Sequence, residues 1–396
     1  MPGVKTIKVA IIFQGSVLMS TAPANRVISY AEGLLQNNCR VTTFNMHPVP
    51  KDGTGDFSSK FIDNHDFNIV DQEPSVIKRK YYYLKYLIKK SSDISKYSHV
   101  FFYGDSSFFM IYLFAFCRLF NKKLIFEGSE YPLKIIRNKK IKKIFSLLLA
   151  NILYKLFDAG IVVSDNLYNY YKRKGRKNIK LIKIPIMVDA ERFENIKDLK
   201  IPLPKDYIAY CGNMYGDKDG IPVLLKAMKI IKKRFPKIKL LLIGENKNIN
   251  LINPIMKLIK EYDLNDNVIF TGIIEKKNIP YYLSNARVLV LSRLNNLQAQ
   301  GGFPTKLGEY LLSGRPAVVT KVGEIQEYLT DGVTALLADA GSAENFAQKV
   351  IEALENPEHS ESVARRGKEL AKEKFDFIIH GKRLSEFIYS DFLINR

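Results

Sequence analysis

The sequence predicts an α/β protein of two Rossmann-like, doubly wound domains of similar size. Three observations carry this. Short apolar runs alternate with longer segments whose apolar residues recur at helical spacing. The runs are apolar throughout, as strands of a parallel sheet covered on both faces are. The pattern runs through the first half, pauses near 185–205 and starts again.

"IKVAIIF" (7–13) reads as the first buried strand and "CRVTTFN" (39–45) as the second. Between them, 24–38 reads as a helix with Val27, Ile28, Ala31, Leu34 and Leu35 on one face. Further strands read at 99–104, 123–128, 159–164 and 179–185, with helices at about 76–91, 106–120, 135–157 and 165–174. After "IPIMVDAERFEN" (184–195) strands read at 207–212, 238–244, 267–272, 286–292, 316–320 and 334–338, and the end looks helical. The expected domains are 1–195 and 196–375, with 376–396 a last helix that could cross back to the first domain. Ligands of such folds sit beyond the carboxyl ends of the strands, here in a cleft between two facing sheets.

With 396 residues the chain is too long for one ordinary core. Its three cysteines, Cys39, Cys117 and Cys211, lie far apart, which argues against a disulfide framework or a zinc site and suits a reducing cytosol. No signal peptide reads at the start. The most apolar stretch, "FFMIYLFAFC" (108–117), is half the about 20 residues a membrane span needs. The net charge is +21, and 24 Lys/Arg against 6 Asp/Glu between Lys78 and Lys183 place +18 of it in that window. Such a field attracts nucleic acid, anionic membrane or polyanionic substrates.

One stretch, "GGFPTKLGEYLLSGRPAVVT" (301–320), sets a cation and an anion at one helix start. Pro304 suits the first helical position. The amides of 303–306 and the charge of Lys306 favour an anion such as a diphosphate. Glu309 lies one turn on, where a carboxylate accepts hydrogen bonds from vicinal hydroxyls such as a ribose presents. The bland alternative is an exposed Lys–Glu pair. A second loop, "YIAYCGNMYGDKDGIPVLLKAM" (207–228), brings Lys218 and two glycines, Gly212 and Gly216, to a strand end. No Ser/His/Asp order, HExxH or GxGxxG pattern is present.

"GFPTKLGEYLLSGRPAVVT", "GEIQEYL", "CGNMYGDKDGIPVLLKAM" and "VIFTGIIEKKNIPYYLSNARVLVLS" together resemble the donor-binding signature of family 4 retaining glycosyltransferases, which have the GT-B fold. The resemblance is strongest over roughly 180–350. It implies metal-independent transfer of a sugar from a UDP- or GDP-type nucleotide-diphosphate-sugar, with no other cofactor. By position it gives Lys218 and Lys306 the diphosphate and Glu309 the ribose. Backbone at Gly302, Phe303, Pro304 and Thr305 would line the donor, with Gly212 and Asn213 on the opposite loop. Main chain near Ile273 and Ile274 would hold the base, and Gly15 would meet the donor from the first domain. The family's earlier glutamate is Gly301 here, so Gln298 or Gln300 would contact the sugar instead. Asn213 replaces an expected arginine. The loop "FEGSEYP" (126–132) lacks the family's histidine, so Glu127 or Glu130 would face the reacting centre, or else cap or pair with the basic helix that follows.

The acceptor side of the resemblance falls on the basic half. "IKRKYYYLKYLIKK" (77–90) carries six Lys/Arg and four tyrosines, and 134–157 starts basic and turns apolar. These suit an anionic membrane at the inner leaflet and a lipid-linked or saccharide acceptor, in a cytoplasmic, peripheral enzyme of polysaccharide or glycolipid synthesis. Nucleic acid is the rival partner, though no nucleic-acid module matches. The rival functions are a binding partner that has lost catalysis and a sugar-nucleotide epimerase.

Overall fold

The computed structural model describes residues 6–18, 21–50, 67–70, 74–132, 152–215, 218–244 and 249–393. The chain divides into two compact units, Met1–Met187 with Phe377–Arg396, and Val188–Asp376.

The first unit holds β1 (Lys8–Phe13), β2 (Arg40–Pro50), β3 (Phe67–Val70), β4 (His99–Tyr103), β5 (Lys123–Gly128), β6 (Ala159–Val162) and β7 (Lys180–Lys183). They form a parallel sheet in the order β3-β2-β1-β4-β5-β6-β7, with Val9 beside both Val41 and His99. Around it lie α1 (Ala22–Leu35), α2 (Val76–Ile94), α3 (Ser107–Leu119) and α4 (Asp165–Lys174). The centre of the sheet is buried on both faces, which is why its strands read as unbroken apolar runs. Side-chain caps set the starts of α1 and α4, where Thr21 accepts from the Ala24 amide at 3.3 Å and Ser164 from the Leu167 amide at 3.2 Å. Strand β3 has no counterpart among the expected elements. Of the expected helix 135–157, residues up to 151 lie outside the described residues, and a 3₁₀ turn, Tyr154–Leu156, follows.

The second unit holds β8 (Tyr207–Cys211), β9 (Lys239–Ile243), β10 (Val268–Gly272), β11 (Val288–Leu291), β12 (Ala317–Thr320) and β13 (Leu336–Ala338), in the parallel order β10-β9-β8-β11-β12-β13. Its helices are α5 (Ile221–Arg234), α6 (Ile249–Glu261), α7 (Ile279–Ser284), α8 (Leu297–Gly301), α9 (Thr305–Leu312), α10 (Ile325–Tyr328), α11 (Ala343–Glu355) and α12 (Pro357–Phe375). Both sheets reverse direction beside their first strand, at β1/β4 and at β8/β11. Crevices for ligands open at such reversals.

The division between units falls at Met187/Val188, eight residues before the expected 195/196. Residues 188–195 stay with the second unit for three physical reasons. The Val188 amide donates to Phe375 O at 2.8 Å, Lys372 reaches Glu194 at 2.8 Å, and Arg192 reaches Glu309. The last helix, α13 (Phe377–Leu393), packs on α1 within the first unit. The two meet backbone to backbone, because a Cβ on Gly33 would lie 2.6 Å from the Gly381 Cα. Ser385 adds a hydrogen bond to Asn37 O at 3.2 Å.

Candidate functional site

The reversal at β8/β11 is where charged side chains collect in the second unit. Gly212 directly follows β8, and its amide donates to Ile243 O at 2.8 Å. Gly212 has φ +149°, and a Cβ there would sit 2.1 Å from Lys306 Nζ. Only glycine lets an ammonium lie this close to the backbone in that conformation.

Lys306 stands in the first turn of α9. Its Nζ donates to Asp219 Oδ2 at 2.5 Å and to the Tyr210 hydroxyl at 2.9 Å, and lies 4.4 Å from the centre of the Tyr210 ring. The Tyr210 hydroxyl has two acceptors in reach of its one proton, Asp219 Oδ2 at 2.7 Å and Asn213 O at 2.6 Å. Arg293, two residues after β11, is fully buried, with Nε 3.6 Å from Asp219 Oδ1 and a guanidinium nitrogen donating to Gly302 O at 3.4 Å. Ser292 ties the same loop down, its one hydroxyl proton shared between Asp219 O at 3.1 Å and Gly220 O at 3.0 Å. Burial pushes the Asp219 carboxyl up, but Lys306, Arg293 and the Tyr210 hydroxyl outweigh it and hold it at about 2. Asp219 is thus an anion at neutral pH, set between two cations. The cluster keeps an excess of positive charge at the start of an eight-residue helix, an environment that favours an anionic ligand.

Glu309 lies one turn further along α9. Its Oε1 accepts from Arg192 at 2.6 Å, and the same guanidinium donates to Lys276 O at 2.9 Å. The pair is partly exposed, with each side chain at 20%.

The structure therefore brings Lys306, Glu309, Gly212 and the Lys218 loop to one end of one sheet. Lys218 is partly exposed and is joined to the cluster through its neighbour Asp219. Gly216 lies outside the described residues. Asn213 shapes the loop, its Oδ1 accepting from the Tyr215 amide at 2.8 Å. Gly302 caps α8, its amide donating to Gln298 O at 3.0 Å, and the Pro304 carbonyl accepts from the Leu307 amide at 3.0 Å, so these two shape the turn into α9, which Thr305 begins. The Phe303 ring stacks on Tyr328 at 5.3 Å and meets Phe375 edge-on at 5.5 Å. Its side chain anchors the loop. Gly301 ends α8 and is buried, while Gln300 donates to Asn295 Oδ1 at 3.1 Å. Ile273 and Ile274 follow β10, with Ile273 63% exposed.

Gly15, Glu127 and Glu130 belong to the first unit. Gly15 follows β1 at the reversal, its carbonyl accepting from the His47 amide at 3.0 Å. Glu127 is buried. Its Oε1 accepts from Arg26 Nε at 2.6 Å and from Ser129 at 2.6 Å, with the Tyr30 hydroxyl at 3.4 Å. Arg26 also donates to Ile184 O and Pro185 O, at 2.8 and 2.6 Å. Glu127 is thus an ion-pair partner of Arg26 on α1 inside the fold, and most of the basic segment after it lies outside the described residues. Glu130 offers its carbonyl to the Tyr171 hydroxyl at 3.3 Å.

Four site residues escaped the sequence: Tyr210, Asp219, Arg192 and Arg293. Each sits beside an element that reads as something else, and a charge just after a buried strand was the available signal for Arg293.

Residues 191–370 match the family model described as glycosyl transferases group 1. An uncharacterized glycosyltransferase of Bacillus subtilis, YqgM, is 26% identical over 61% of this chain and 62% of its own length. The chain thus spans less than two thirds of that relative. A sucrose-phosphate synthase from Thermosynechococcus elongatus superposes with a TM-score of 0.78 at 17% identity, covering 98% of this chain and 100% of that one. HepE of Anabaena, solved with UDP and glucose, superposes with a TM-score of 0.71 at 14% identity over 97% of this chain and 100% of that one. The chain has the GT-B fold of these structures. Among the described residues no helix is long and apolar enough to cross a membrane.

Proposed function

We propose that the protein is a retaining, family 4-type glycosyltransferase that uses a nucleotide-diphosphate-sugar. The observation that carries this is the Lys306–Asp219–Tyr210 cluster with Glu309 on the same helix. Lys306 and Lys218 neutralise the diphosphate, supplying countercharge that would otherwise call for a metal ion. Glu309, oriented by Arg192, accepts from the ribose hydroxyls. Main chain at 302–305 and at Gly212 lines the donor, and main chain at Ile273 and Ile274 holds the base. The UDP in HepE supports a uridine donor.

In the reaction the bond from anomeric carbon to diphosphate oxygen breaks. A bond to the acceptor oxygen forms on the same face. The acceptor hydroxyl's proton passes to the departing diphosphate, so no separate side-chain base is needed. Rate comes from placing the reactants and from charge waiting for the leaving group. Glu127, paired with Arg26, supports the end of β5 rather than the reacting carbon. The acceptor is a lipid-linked saccharide at the cytoplasmic face of an anionic membrane, to which the basic segments 77–90 and 134–157 are drawn.

A panel of UDP, GDP, ADP and CMP read by thermal shift tests the site. A nucleotide at a hundred times its Kd stabilises by about 2.7 kcal/mol. Lys306→Ala is expected to abolish the winning shift, and an unchanged response refutes the assignment. Gly301, where the family has a glutamate, favours a second reading: a binder without catalysis. Nucleotide affinity with no turnover of any donor, alone or with acceptor, would select it.

A further inference from the structure

Helix α3 is apolar where a surface helix should be polar. Its buried side carries Phe109, Leu113, Phe116 and Cys117. Its outer side carries Phe108, Ile111 and Leu119, which are 56%, 50% and 79% exposed, with Phe120 just beyond. Positions 108, 111, 115 and 119 form one stripe at helical spacing and hold no charge. Single exposed apolar residues are ordinary, but a continuous stripe is not.

Helix α2 lies alongside. Tyr83 meets Phe109 with ring centres 5.8 Å apart, and Ser91 bonds the Tyr112 hydroxyl at 3.0 Å. The outer side of α2 continues the apolar surface with Ile88 and Tyr81, 59% and 63% exposed. It also carries cations, since Lys78, Lys80, Lys85 and Lys89 are all exposed. Across residues 76–122 there are nine Lys/Arg and two Asp/Glu. One of those acids, Asp93, is already paired with Lys96 at 2.7 Å.

We propose that the outer face of α2 and α3 docks the protein on an anionic lipid surface. The stripe of α3 enters the boundary between headgroups and acyl chains. The lysines of α2 meet the headgroup phosphates, and Tyr81 lies at the interface. Charge decides between occupants. A second copy of this chain would bring the same cations against themselves, whereas an anionic bilayer complements both parts of the face. The docking gives a surface to the membrane-borne acceptor of the reading above, and its biological sense rests on that reading.

Flotation of the full chain with vesicles tests it. Binding is expected to vesicles rich in phosphatidylglycerol and to be weak to phosphatidylcholine alone. Lys85→Gln with Lys89→Gln is expected to lower binding about fivefold per cation removed, and molar salt to do likewise. Ile111→Asp with Leu119→Asp is expected to lower it at least about tenfold at unchanged Tm. If the pair lowers Tm, Leu119→Asp alone gives the same readout. Absence of binding to phosphatidylglycerol vesicles, or binding indifferent to the aspartates, overturns the proposal. So does a dimer in solution that the aspartates abolish without any lipid binding, or duplex DNA bound as tightly as vesicles. The UDP thermal shift separates the two claims. Vesicle binding without a nucleotide shift leaves the docking face standing and fells the donor reading, and the converse result does the opposite.

Discussion

Replacing Asp219 by asparagine probes the centre of the candidate site with little change of shape. The carboxylate holds Lys306 at 2.5 Å and faces Arg293 at 3.6 Å, with only 7% of its side chain exposed. Its folded pKa is lowered from 3.8 to about 2. At 1.36 kcal/mol per tenfold change in proton affinity this is about 2 kcal/mol of stability. For a carboxyl held down in the fold, that contribution is fully present above the ordinary value. It is lost as pH falls through the folded one, and about 1 kcal/mol of it is gone by pH 3. Asp219→Asn also strands two buried cations, so its full cost near neutrality is about 3–5 kcal/mol. Calorimetry on wild type and variant should show the second unit melting several degrees lower at pH 7. The gap should then narrow by about 1 kcal/mol from pH 5 to pH 3. A gap that stays constant over that range, or a cost under about 1 kcal/mol at pH 7, would refute the reasoning.

Three further outcomes are expected. Glu127→Gln leaves Arg26 without its buried counter-ion, so stability falls by about 3–5 kcal/mol while turnover per folded molecule holds; normal Tm with collapsed turnover would instead make Glu127 a catalytic group. Gly212→Ala puts a methyl where the Lys306 ammonium lies, so UDP should bind about tenfold more weakly or worse in titration calorimetry. Gly33→Ala should destabilise by about 1–3 kcal/mol in thermal melts, because the new Cβ meets Gly381; helix propensity alone predicts a gain of about 1 kcal/mol, so the sign decides.

Much of the fold was legible because buried parallel strands leave apolar runs. "KLIFEG" is β5 to the residue, and 165–174 is α4. Strand β3 was not legible, being four residues on the sheet edge with no strong pattern around it. The unit boundary was misplaced because residues 188–195 look like a linker, while their partners, Phe375, Lys372 and Glu309, lie more than a hundred positions away. At the site, Lys306 and Glu309 stood out through their place at a helix start. Tyr210 reads as one more strand residue, and Asp219 is overshadowed by Lys218. Their hydrogen bonds to Lys306 depend on the adjacency of β8 and β11, which local pattern does not encode.

The grip of α13 on α1 sets an order of events during synthesis. The second unit is one unbroken stretch, Val188–Asp376, so it can mature as soon as that stretch leaves the ribosome. The first unit begins to emerge earlier yet waits for residues made after the second unit, with the side of α1 at Gly33, and Asn37 just beyond it, uncovered until Gly381 and Ser385 of α13 arrive. The half that is translated first is therefore the half completed last, and in the interval its nascent form carries the greater need of a chaperone.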